Sequence, residues 1–229
     1  MQASSKGNTI IFGFNNQRKS HCGIGADDKN GIWICLKCLE TFDVMKCVFF
    51  VGEEIGCQGS SNADMQFFDD CRYVVQCDRK GSCDIVVNYN GDALCSEEFL
   101  LDAAHKEFGY SRSSGLITDA ITLKNRGLNI SCINLSCGYY LPHTPNEFTC
   151  VEDLMKCYWF VQHIIKNCSK TYHHKFIRRY IDEYSPLNQS VYWYEDDFSQ
   201  CTSNGRSLYG SKRANPLSRL RRRLNFWQR

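Results

Sequence analysis

No stretch of this 229-residue chain approaches the roughly 18 consecutive apolar residues that a membrane-spanning helix needs. Residues 1–20 also lack an apolar core behind a basic start, the pattern of a secretory leader. No internal repeat is visible, and no second cysteine pair stands at zinc-ribbon spacing from the "CLKC" of residues 35–38. Cysteine itself is abundant, with 15 residues, but the number is odd and the spacing irregular. In "WICLKCLE" and "SCINLSC" the thiols stand where Val or Ala could stand, so they read as small buried apolar residues. Free thiols in a reducing compartment, hence a cytoplasmic protein, are the expectation.

Charge is unevenly placed. Between Arg206 and Arg229 there are eight Lys or Arg and no acid, so the net +2 of the chain leaves residues 1–205 at about −6. The expected organisation is one domain over residues 1–184 and an irregular basic tail over 185–229. "RLRRRLNFWQR" has the composition of a phosphate-contacting, base-stacking segment, but a solvated tail is the simpler reading, and nucleic acid is not expected as a partner. A self-associating chain is compatible with this composition; a membrane partner is not expected.

Strand-like and helix-like segments alternate. "NTIIFGF" reads as a strand, and residues 27–42 as a helix whose apolar face holds Ile32, Cys35, Leu36, Leu39 and Phe42. "KCVFFV" reads as a strand buried on both faces. "NADMQFFDD" is a short helix; "YVVQCD", "CDIVVNY" and "ISCINLSC" are strands. Helices are expected over "SEEFLLDAAHKEF" with Ser96 as cap, over "TDAITLKNR" with Thr118 at its start, and over residues 150–168, with "YHHKFIRRYIDEY" prolonging the helical region. This order predicts an α/β fold with a mostly parallel central sheet flanked by helices.

In such sheets, sites form outside the carboxyl ends of the strands. The acids collect there: Asp27 and Asp28 in "GADDKNG", Glu53 and Glu54 after "CVFFVG", Asp78 closing "YVVQC", with His143 in "GYYLPHTPNE" shortly after "ISCINLSC". Paired acids repel, and bound divalent cations would offset that repulsion. Glu53 and Glu54 can share one site only where a strand has ended, because successive strand side chains face opposite ways. Each group also has a plain structural reading. Asp27 and Asp28 suit a helix N-terminus, Glu53–Glu54 a solvated turn, and His143 a loop.

Taken in order, "GADDKNG", "GEEIGCQG", the "CD" at 77–78, "TDA" at 118–120 and "CGYYLPHTPNE" resemble the co-catalytic zinc exopeptidases. That superfamily includes peptidase T, the single-domain zinc aminopeptidases and the tetrahedral aminopeptidases. The likeness spans about residues 8–168. It implies that Asp27 bridges two metal ions, that Glu54 and His143 ligate one and Asp78 the other, and that Glu53 is the general base. It also implies a cis bond between Asp27 and Asp28, and places Asp28, Asp119, Tyr139 and Tyr140 beside the ligands or the substrate. The cofactor would be one or two zinc ions, which manganese or cobalt could replace at such donors. The implied substrate is a peptide or another small molecule with a free N-terminal amine.

One motif of the family is not present. Its first metal histidine belongs to a His-x-Asp element upstream of the bridging aspartate, and residues 1–26 contain none. Family spacing puts it just before Met1, so the chain reads as an N-terminally shortened member without the first strands. His21 lies in "RKSHCGIG" with no acid at the right offset and is a poor replacement. Only 64 residues separate Asp78 from His143, too few for the lid domain of peptidase T and the zinc carboxypeptidases. The resemblance therefore implies a hydrolase of aminopeptidase type. Its alternatives are an inactive relative serving as a binding module, or a zinc amidohydrolase acting on N-acyl amino acids.

Overall fold

The computed structural model describes residues 8–177. Its strands are β1 (Ile10–Asn15), β2 (Ser20–Cys22), β3 (Val74–Arg79), β4 (Asp84–Tyr89), β5 (Asp92–Ala93), β6 (Ser111–Ser114), β7 (Cys132–Ser136), β8 (Tyr139–Tyr140) and β9 (Phe148–Cys150). Its helices are α1 (Ala26–Leu39), α2 (Gln58–Ser61), α3 (Glu97–Asp102), α4 (Asp119–Asn125) and α5 (Val151–Asn167), with a 3-10 turn at Met65–Phe68. The class is α/β. The five-stranded sheet runs β3-β7-β4-β5 with β6 also on β4. Two pairings, β3–β7 and β4–β6, are parallel, and β4 meets β7 and β5 antiparallel, so the sheet is mixed. A four-stranded antiparallel sheet, β2-β1-β9-β8, stands beside it.

The strand β7 shows why the central run is so apolar. All five of its residues are buried. Ile133 and Leu135 join the core beneath α1 and α5, and Cys132 joins the separate cluster that α4 covers with Ala120 and Leu123. Two-sided cover of a central strand demands this pattern. On α5, Leu154, Cys157, Phe160, Val161 and Ile164 form the buried stripe expected of an amphipathic helix. The serine cap of α3 is as expected, with Ser96 Oγ accepting from the Phe99 N–H at 3.2 Å. Thr118 occupies the corresponding position on α4 without a side-chain cap bond.

Glycine matters most at Gly31, where α1 lies directly on β3. A Cβ there would stand 2.2 Å from the Cys77 carbonyl oxygen. Gly31→Ala is expected to push α1 off the sheet and cost about 1–3 kcal/mol, read as a lower urea midpoint at unchanged slope.

Four expectations are corrected. "KCVFFV" is not a strand: residues 46–51 join no ladder among the described residues, and Phe49 and Val51 are 51% and 75% exposed. Unbroken apolarity reports a preference for burial, whereas a strand also needs a neighbour to bond. The helix after Ser96 ends at Asp102, short of Phe108, and turns follow, with Ala104 at φ +52°. Helix α5 stops at Asn167, and residues 171–177 run without helix. There Ile130 pairs with His173, and the buried Lys124 ammonium donates to the Ile130 and His174 carbonyls at 2.8 and 2.7 Å. These bonds hold the segment against the body instead of letting the helix continue. Finally, the thiols are not all free: Cys83 is disulfide-bonded, while the other cysteines of the described residues are free. The basic tail lies outside the described residues. Within them, no helix is long and apolar enough to cross a membrane.

Candidate metal centre

The chain reaches α1 through a left-handed Gly25 (φ +62°), and Asp27 keeps a non-helical backbone (φ −80°, ψ +105°) inside the helix start. The Asp27–Asp28 bond is cis, as the resemblance implied. Glu53 and Glu54 do not close a strand. They sit in a turn whose Gly56 and Cys57 N–H groups donate to the Glu53 carbonyl. Asp78 lies within β3, and His143, at φ +60°, lies in the loop between β8 and β9.

These four segments converge. Candidate ligand atoms of Asp27, Glu54 and His143 lie within 4.8 Å of one another, and so do those of Asp27, Asp28 and Asp78. His143 Nε2 is 3.5 Å from Asp27 Oδ2 and 3.4 Å from Glu54 Oε1. Asp27 belongs to both groups, with its side chain 9% exposed, whereas those of Glu54 and His143 are 58% and 59% exposed. The centre is therefore a rim with one buried carboxylate at its base.

Electrostatics follow from this crowding. Burial, then the charges of Glu54 and Asp28, push the Asp27 carboxyl up to about 6. Burial, then Glu54, Asp119, Asp28 and Asp27, push Glu53 up to about 7. Asp78 rises furthest, to about 10, through burial and the charges of Asp27, Asp28 and Glu53. Each carboxylate lacks sufficient positive charge opposite it, which is the condition a bound cation relieves. The donor set of carboxylate oxygens and one imidazole nitrogen suits zinc, manganese or cobalt. On spacing and donor type, the residues fit such an ion.

The remaining candidates divide. Asp119 belongs to neither group; it accepts from Ser60 Oγ at 2.5 Å, and burial raises its carboxyl. Tyr139 is buried, and its phenol is pushed up by burial and by Asp78 and Asp27. Tyr140 donates to Asp153 Oδ2 at 2.6 Å and stacks on Phe148, which ties it to α5. His21 stands on β2 with its ring stacked on Phe12 at 4.9 Å.

Three supporting side chains escaped the sequence reading. Gln76 donates to Asp78 Oδ2 at 3.0 Å and accepts from the Ala120 N–H at the start of α4, tying the two elements together. Its signal was available: two residues from Asp78 on a strand, it shares that face. Asn134 pairs with the Asp78 backbone in both directions at 3.0 Å. Glu147 is buried and accepts from the Gly25 and Asp27 N–H groups at 2.6 and 3.1 Å. A single acid in a loop carries no sequence mark of burial.

No family model matches the chain, and no curated protein matches its sequence. Solved structures do match its fold. An aminopeptidase of the archaeon Desulfurococcus kamchatkensis superposes with a TM-score of 0.51 at 19% identity, covering 74% of this chain and 52% of its own. The aminopeptidase PepT of Bacillus cereus superposes with a TM-score of 0.51 at 16% identity, covering 73% of this chain and 78% of its own. This chain thus spans about half the length of the archaeal enzyme. At these identities the likeness shows a shared fold: the chain has the α/β architecture of these aminopeptidases.

Proposed function

We propose that this chain is a zinc-dependent exopeptidase of aminopeptidase type, with its domain over residues 1–184. The observation that carries the reading is the Asp27 carboxylate, buried and shared between two groups of candidate ligands. In this reading Asp27, Glu54 and His143 would hold one ion, and Asp27 and Asp78, with Asp28 beside them, would hold the other. A bound zinc ion supplies a Lewis acid that polarises the scissile carbonyl and lowers the pKa of water towards 7.

The chain's own groups do the rest. Glu53 is half-buried and stands outside both ligand groups, with a carboxyl whose proton is held up to about 7. That poise suits a base which takes the proton of the attacking water and returns it to the leaving amine. The acidic rim favours a cationic substrate end, which a free peptide N-terminus provides. Gln76 and Asn134 hold Asp78 in place, so its carboxylate is oriented before a ligand arrives.

The purified chain is expected to take up one or two zinc ions, with manganese or cobalt as substitutes, and to release the amine from an aminoacyl amide. Metal analysis and an amide-hydrolysis assay check this together. A protein that holds no metal at micromolar zinc and cleaves nothing would sink the reading. A second reading, a cation-holding binding module without turnover, draws on the composition of the Asp27–Asp28–Asp78 group, which contains no imidazole. Zinc uptake without hydrolysis of any aminoacyl amide would favour it. Preference for an N-acyl amino acid over an aminoacyl amide would instead identify an amidohydrolase.

A further inference from the structure

We propose that Glu147 is a positioning residue that clamps the Asp27 turn to the His143 loop and so sets the spacing of the cation ligands. The inference rests on the metal reading of Asp27 and His143. Glu147 is 4% exposed, and a buried carboxylate is stable only where hydrogen bonds replace its water. It receives them from the turn that leads into α1: the Gly25 N–H donates to Oε2 at 2.6 Å and the Asp27 N–H to Oε1 at 3.1 Å. Both oxygens are used, one for each donor.

The turn is shaped for this contact. The left-handed Gly25 and non-helical Asp27 let alternate N–H groups reach one carboxylate. These donors belong to the start of α1, whose N–H groups have no partner within the helix, and a negative partner is favoured there. The two loops also touch elsewhere, since a Cβ at Gly23 would stand 3.1 Å from the Thr144 carbonyl and 3.5 Å from Glu147 Oε2. His143 lies only four residues before Glu147, so the clamp joins the turn carrying one ligand to the loop carrying another. The Asp27–His143 separation of 3.5 Å is a consequence of that joint. Glu147 itself is in neither ligand group.

The test is zinc affinity by chelator competition, measured with the melting temperature on the same samples of wild type, Glu147→Ala and Glu147→Gln. Removal of a group that orients metal ligands typically weakens affinity by about 10–100-fold, and Glu147→Ala is expected in that range. Glu147→Gln preserves shape and one acceptor oxygen, so its affinity should fall below wild type by less than the alanine variant's, a loss that is readable by itself if the alanine variant fails to fold. A fall in melting temperature with both variants binding zinc within twofold of wild type would mean a purely structural acid and overturn the clamp, leaving the metal reading intact. Wild type that binds no zinc would overturn both.

Discussion

Replacing Glu53 with Gln is expected to lower aminoacyl-amide turnover by roughly 10²–10⁴-fold, the usual contribution of a positioned acid–base group, while zinc content stays at the wild-type value. Glutamine matches glutamate in size and polarity, so packing around the turn at residues 52–57 should survive. What it lacks is a site that can accept a proton at neutral pH. Glu53 stands outside both ligand groups, which is why ion uptake and turnover should separate in this variant. Asp27→Asn provides the contrast, because Asp27 belongs to both groups and its loss should remove ion and activity together. Metal analysis paired with the rate assay distinguishes the two. Loss of zinc from Glu53→Gln would make Glu53 a ligand and leave the chain without its assigned base.

The second large effect concerns stability and pH. Asp27, Glu53 and Asp78 hold their protons up to about 6, 7 and 10, against ordinary values of 3.8, 4.5 and 3.8. Below about pH 3 both folded and unfolded chains are protonated at these groups, and the folded state suffers no penalty. As pH rises, the unfolded chain ionises first, so the folded chain binds more protons and its stability falls through each raised value. The metal-free protein should therefore melt higher at pH 5 than at pH 8 as far as these groups control it. Zinc reverses the trend, since it replaces the protons and binds most tightly where the carboxyls are ionised. At a hundredfold excess over its dissociation constant, the ion adds about 2.7 kcal/mol. Melting curves in chelator and in zinc at both pH values read this directly. A chelator-treated protein that melts higher at pH 8 and ignores zinc would show that the carboxylates are not held in this crowded arrangement.

Where the sequence pattern and the physics ask the same question, the reading succeeded. The stripe on α5, the serine cap of α3 and the apolar run of β7 all report burial or capping, and burial and capping are what form those elements. At residues 46–51 the pattern reported apolarity alone, and no partner strand follows from apolarity. The β8–β9 hairpin, which sets the His143 loop, leaves no strand pattern in the sequence because two- and three-residue strands have too few alternations to register. At the site, the order of several short motifs brought Asp27, Glu54, Asp78 and His143 forward together, and they do converge. Whether Asp28 faces the cluster depends on local backbone geometry that adjacency in sequence does not encode. Glu147 and Asn134 were invisible because their roles are contacts with main-chain atoms, which any sequence can supply.

The buried thiols have a practical consequence. Cys38 on α1 lies in the core beneath α1 and α5, and Cys132 on β7 lies in the separate cluster that α4 covers; burial raises both thiols, Cys38 to about 11 and Cys132 to about 12. A thiol held neutral is inert to alkylating reagents until its layer opens to water. The folded chain thus carries its own set of chemical clocks, each reporting the opening of a different layer without any engineered label.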